Sequence, residues 1–144
     1  MAWTHKSNNK EQVLAGSGYR AYVNYIGQAD ASDLTDYVVF DASAQLPFVP
    51  AATEILWLKM VVGGSGMMAY LEWDATADTL IGGAAQGEPF AWPPETGHFD
   101  LAYARDNGLT KDPVGSGTTA DIVLTTIGGA VGDAVSLQMI LALT

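Results

Sequence analysis

The sequence predicts an all-β fold, an antiparallel β-sandwich of jelly-roll-like type with about eight strands and an extended N-terminal arm. Three observations predict it. Apolar and polar residues alternate with period two along most of the chain, and helical periodicity is nearly absent. β-Branched and aromatic residues fill the alternating runs, while Gly, Pro, Asp and Asn fill the gaps. Short strands with frequent turns favour antiparallel pairing over a parallel sheet, whose crossovers need helices.

The elements follow in chain order. Residues 1–18 are polar, contain Gly and Ser, and read as an arm ahead of a sandwich domain at 19–144. Strands are expected at 19–26 (YRAYVNYI), 36–41 (DYVVFD), 54–62 (EILWLKMVV) and 67–74 (MMAYLEWD). Four more are expected at 79–81 (TLI), 98–103 (HFDLAY), 121–127 (DIVLTTI) and 134–143 (AVSLQMILAL). The last has the clearest pattern. Val135, Leu137, Met139, Leu141 and Leu143 share one apolar face, and Ala134, Ser136, Gln138, Ile140 and Ala142 share the other. In the strand at 67–74, Met67, Ala69, Leu71 and Trp73 face the core, and Met68, Tyr70, Glu72 and Asp74 face outwards. The expected core comprises Val23, Tyr25, Val38, Phe40, Leu56, Leu58, Leu71, Trp73, Ile122, Leu124, Leu137, Met139 and Leu141, and Trp57 also reads as core. The turn at 128–133 (GGAVGD) returns the chain from one strand onto the next. Two long loops are expected. One, at 82–97, carries Phe90 and Trp92 between prolines, and the other lies at 104–119. Long loops commonly carry function.

Composition narrows the function classes. The chain has 144 residues, 49% of them hydrophobic and only 15% charged, with a mean hydropathy of +0.15. Such an apolar chain is expected to bury part of its surface against partners. There are no cysteines, which excludes disulfides and thiolate metal sites. The net charge is −10, unevenly spread: residues 1–20 hold Lys6, Lys10 and Arg20 against Glu11, leaving the remainder strongly acidic. An acidic body repels phosphate backbones, so no nucleic-acid partner is expected. A basic head on such a body suggests docking on a surface unlike it. The first ten residues contain no apolar signal-peptide core. The longest apolar stretch, Ile55 to Leu71, is broken by Lys59, Gly63, Gly64 and Gly66, so no membrane helix is expected.

The residues offer little chemistry. His5 and His98 are far apart in sequence and lack zinc-ligand spacing. "GGSGM" lacks the last glycine of a nucleophile elbow, and no phosphate-binding glycine loop is present. Asp30, Asp33 and Asp36 lack EF-hand spacing and read as a solvated turn. Glu72 and Asp74 lie two residues apart on one strand face. That arrangement resembles a glycosidase pair only in separation, because no sugar cleft accompanies it. No cofactor is expected, and the chain reads as non-enzymatic. Trp3 and Trp92 fall in irregular segments and leave open a carbohydrate-binding module.

Three segments resemble small virion structural proteins of tailed bacteriophages. One is "YLEWDATAD" (70–78) preceded by "ILWLKMVVGGSGM" (55–67). The others are "VVFDASAQL" (38–46) and the hairpin "ADIVLTTIGGAVGDAVSLQMILAL" (120–143). The resemblance covers roughly residues 20–143. It implies a capsid decoration or cement protein on the virion surface, made in the host cytoplasm. Its partners would be the major capsid protein and neighbouring copies of itself, with a homotrimer expected. A neck, tail or vertex-fibre subunit is the alternative. Trp3, Lys6 and Lys10 of the arm and Phe90 and Trp92 of the aromatic loop are the expected partner-binding residues.

Overall fold

The computed structural model describes residues 3–8, 10–14, 18–44, 52–64, 66–92 and 119–143. These carry ten strands: β1 (Thr4–Ser7), β2 (Lys10–Leu14), β3 (Gly18–Gln28), β4 (Tyr37–Phe40), β5 (Thr53–Gly63), β6 (Met68–Trp73), β7 (Thr79–Ala85), β8 (Phe90–Trp92), β9 (Ile122–Ile127) and β10 (Ala134–Leu143). Six strands form one sheet in the order β1-β3-β10-β5-β8, with β2 also on β3, and four form the other in the order β4-β9-β6-β7. The pairings are antiparallel throughout. The expected all-β sandwich is the observed fold. The expected strand at 98–103 and residues 104–118 of the expected loop lie outside the described residues.

The core forms where the inner faces of the two sheets meet. From the six-stranded sheet come Val23 and Tyr25, then Val135, Leu137, Met139, Leu141 and Leu143, then Ile55, Leu58, Met60 and Val62. From the four-stranded sheet come Phe40, Ile122, Leu124, Met67, Ala69, Leu71, Trp73, Ile81 and Ala84. The strict alternation of β10 and β6 appears unchanged in their burial.

Bulges account for where the expected core departs from the observed one. Between Val38 and Phe40 the register of β4 against β9 shifts, so Val39 and Phe40 are both buried and Val38 is exposed. In β5 the register shifts where Ile140 faces Trp57 and Leu141 faces Ile55, so Leu56 has no partner of its own. Leu56 is then only half-buried, and Trp57 turns outwards rather than into the core. An extra residue flips every side chain beyond it to the other face.

The largest departure is at the N-terminus. The sequence places residues 1–18 in an arm, but β1 and β2 pair with β3 in a single continuous register, from Thr4 opposite Gln28 to Leu14 opposite Gly18. Asn8 keeps the ladder continuous by donating its backbone N–H to the Asn24 carbonyl at 2.8 Å. The segment is thus the first strand of a hairpin whose second strand is β3. It satisfies backbone groups along an edge that would otherwise be unpaired. Trp3 enters the core at 7% exposure and donates its indole N–H to the Ser32 carbonyl at 2.7 Å. His5 stacks on Tyr37 with ring centroids 4.2 Å apart and shares a 2.7 Å hydrogen bond with the Tyr25 hydroxyl. Tyr25 belongs to one sheet and Tyr37 to the other, so this aromatic stack closes one side of the sandwich.

The expected loop at 82–97 is also partly sheet. β7 runs on to Ala85, Ala85 and Glu88 exchange backbone hydrogen bonds across a tight turn, and β8 then pairs with β5. Phe90 lies directly over Gly82: a Cβ there would stand 2.3 Å from its ring. Gly82→Ala should therefore push Phe90 out of its seat and lower stability by about 1–3 kcal/mol, measurable by urea unfolding. An unchanged midpoint would show that β8 contributes nothing to the domain.

Candidate functional site

Turn acids fix the loops around the four-stranded sheet. Asp33 accepts from the backbone N–H groups of Gly128 (3.1 Å) and Gly129 (2.8 Å), pinning the turn after β9. The hydroxyls of Thr125 and Thr126 accept from the N–H groups of Asp36 (3.1 Å) and Leu34 (2.9 Å). Both threonines are buried, and these bonds satisfy their hydroxyls. Of the three aspartates expected in a solvated turn, Asp33 and Asp36 are structural braces, and only Asp30 has its carboxylate partners, Ser32 N–H and Ser32 hydroxyl, within its own turn.

Glu72 projects from the outer face of β6, as the strand pattern predicts. Its carboxylate neighbours are Asp36 and Asp78, and one oxygen from each of the three lies within 4.8 Å of the others. Asp74, its neighbour in sequence, instead accepts from the Thr119 hydroxyl at 2.9 Å. The sequence pair is therefore not the spatial cluster. Binding through one oxygen each, three carboxylates supply a hard cation with half or fewer of the oxygens it usually takes. Burial, then Asp78 and Asp36, raise the Glu72 pKa above its ordinary value. A raised folded-state value means the native protein holds this proton to higher pH than the unfolded chain does. The associated stability is present at low pH and is lost as pH rises through the folded value. Glu72→Gln should therefore melt above the parent at pH 7, and the gap should close towards pH 4. A variant that melts below the parent at pH 7 would contradict this reading.

The sequence-expected partner residues separate into three groups. Trp3 is a core residue. Phe90 and Trp92 are half-buried in β8 and packed against the core. Lys6 is exposed opposite Ile26, and Lys10 occupies the register position opposite Tyr22, both on the six-stranded sheet.

The outer sheet faces are what sequence reasoning missed. Among the described residues nine large hydrophobics are exposed, and eight of them divide evenly between these faces. On the six-stranded sheet, Tyr22, Ile140 and Trp57 form one lateral row, and Ile26, Ser136 and Val61 form another. Tyr22, Trp57, Ile26 and Val61 are the exposed members. On the four-stranded sheet, Val38, Val123, Glu72 and Leu80 form one row, in which Val123 is buried and Glu72 half-buried, and Ile127, Met68 and Ala85 form another. Val38, Leu80, Ile127 and Met68 are the exposed members. The available signal is the apolar outward set of residues such as Ile26, Ile140 and Met68, where a wholly wet face would alternate with polar residues.

No family model, curated protein or solved structure matches the chain. Among the described residues no helix is long and apolar enough to cross a membrane.

Proposed function

We propose that this chain is a non-enzymatic structural protein of a tailed-phage virion, of the capsid decoration type, acting by bridging neighbours on the shell. One observation carries the reading: among the described residues, the sandwich exposes four large hydrophobics on each of its two outer faces. A protein that binds once needs one such face, whereas a protein that bridges needs two. Large hydrophobics left exposed on a sheet face mark interaction sites. The resemblance of residues 20–143 to phage virion proteins supports the same reading. Its partners are then the major capsid protein and neighbouring copies of the chain. Many modest contacts on one particle add through avidity.

The test is mass spectrometry of purified virions from a phage encoding the chain, with the recombinant protein added back to particles that lack it. Saturable binding, weakened by Trp57→Ala together with Leu80→Ser, is expected. Absence of the chain from the virion overturns the reading.

A second reading rests on Tyr22 and Trp57. They flank Ile140 in one row, which sets two exposed aromatics two strand spacings apart, about 10 Å. A flat aromatic pair is a platform for sugar rings. Retention on insoluble polysaccharide, lost in Trp57→Ala alone, would favour that reading over a virion role.

A further inference from the structure

The two outer faces differ in charge as sharply as they agree in apolar content. The described residues include four lysines and arginines, Lys6, Lys10, Arg20 and Lys59, and all four belong to strands of the six-stranded sheet. Register and exposure place three of them among its outward residues, Lys6 opposite Ile26, Lys59 opposite Gln138 and Arg20 opposite Ala142, and Lys10 holds the register position opposite Tyr22. Among the described side chains the acid on that face is Glu54, which also stands opposite Ala142 and offsets Arg20 across the sheet. The other face carries the Asp36, Glu72 and Asp78 cluster and, among the described residues, no cation.

We propose that copies of this chain associate head to tail, the cationic face of one seated on the acidic face of the next. The occupant of each face is a second copy because the molecule itself presents the complement. Each face supplies four exposed large hydrophobics to bury, and the charges around them are opposite in sign. Two like faces brought together would set lysines against lysines or carboxylates against carboxylates, and like-charge juxtaposition suppresses such wrong pairings. Opposite charges also fix which way up each copy sits. A contact between different patches is heterologous, and when the patches lie back to back it propagates as a row instead of closing as a pair. The Glu72 cluster gains from this contact, because a lysine brought beside three crowded carboxylates relieves their mutual repulsion. This inference does not rest on the virion reading, since it concerns the free protein.

The test uses two single-face variants of the full chain in sedimentation-velocity experiments over a concentration series. One is Lys6→Glu with Lys59→Glu, and the other is Glu72→Lys with Leu80→Lys. Circular dichroism and melting check that each is folded. If the second melts too early, Met68→Lys on the same face replaces it. The parent should show concentration-dependent growth beyond a dimer. Each variant alone should self-associate roughly tenfold or more weakly. An equimolar mixture of the two should regain association, because each supplies the intact face the other lacks. A parent that stays monomeric, a closed trimer unaffected by both variants, or loss of association in only one of them overturns the proposal.

Discussion

Trp73→Ala should lower the unfolding free energy by about 3–5 kcal/mol, the range for removing a large aromatic from a packed core. Trp73 is fully buried at the end of β6, opposite Ile122 of β9 and Thr79 of β7. Its ring occupies the space where the four-stranded sheet meets the core. Domains of this size are stable by only about 5–15 kcal/mol, so the variant should lose a large share of its margin. Chemical denaturation is the direct check, and the slope against denaturant should hold while the midpoint falls. A loss below about 1 kcal/mol would place Trp73 outside the core and reverse the assigned face of β6.

Deleting residues 2–14 should have an effect at least as large. The deletion takes Trp3 from the core and the Trp3–Ser32 hydrogen bond with it. It also strips β3 of its pairing from Gly18 to Gln28, a long unpaired edge of the kind that recruits other strands. The truncated chain should unfold at markedly lower denaturant and aggregate on concentration. Two point variants separate the causes. Trp3→Ala should cost about 3 kcal/mol or more. Lys6→Ala, which removes an exposed charge, should stay within about 0.5 kcal/mol of the parent. A truncated chain as stable as the whole would return residues 2–14 to the role of a loose arm.

The sequence shows the fold most clearly where alternation is uninterrupted. In β10 the apolar set from Val135 to Leu143 points one way without a break, and in β6 the set from Met67 to Trp73 does the same. A bulge destroys this legibility, because it adds one residue without leaving a mark in the hydrophobic pattern. Val38, Leu56 and Trp57 sit beside such bulges, and their faces are misread for that reason. The N-terminal hairpin is hidden differently. Thr4, His5, Lys6 and Ser7 are all exposed, so β1 has no alternation to read. Its position is fixed by backbone pairing with β3 and by Trp3, the one buried side chain among residues 3–8. The signal that points to it is the Ala-Gly-Ser-Gly composition at 15–18, small residues of the kind that separate paired strands.

The candidate surfaces were legible only in part. Glu72 is visible as an outward acid, but Asp36 and Asp78 reach it from separate segments. Proximity of that kind comes from topology, and no spacing along the chain encodes it. The opposite charge of the two faces is hidden in the same way. Lys6, Arg20 and Lys59 come from three stretches of sequence, and the sheet order gathers them on one side.

The central claim is that this sandwich is a bridging component of a particle. A reconstruction of the intact virion at a resolution that traces strands tests it most directly. The expected map shows these two-sheet sandwiches on the outer shell, with neighbours contacting both outer sheet faces, Trp57 at one contact and Leu80 at the other. A virion without this density, or one in which both outer faces stand open to solvent, would contradict the account.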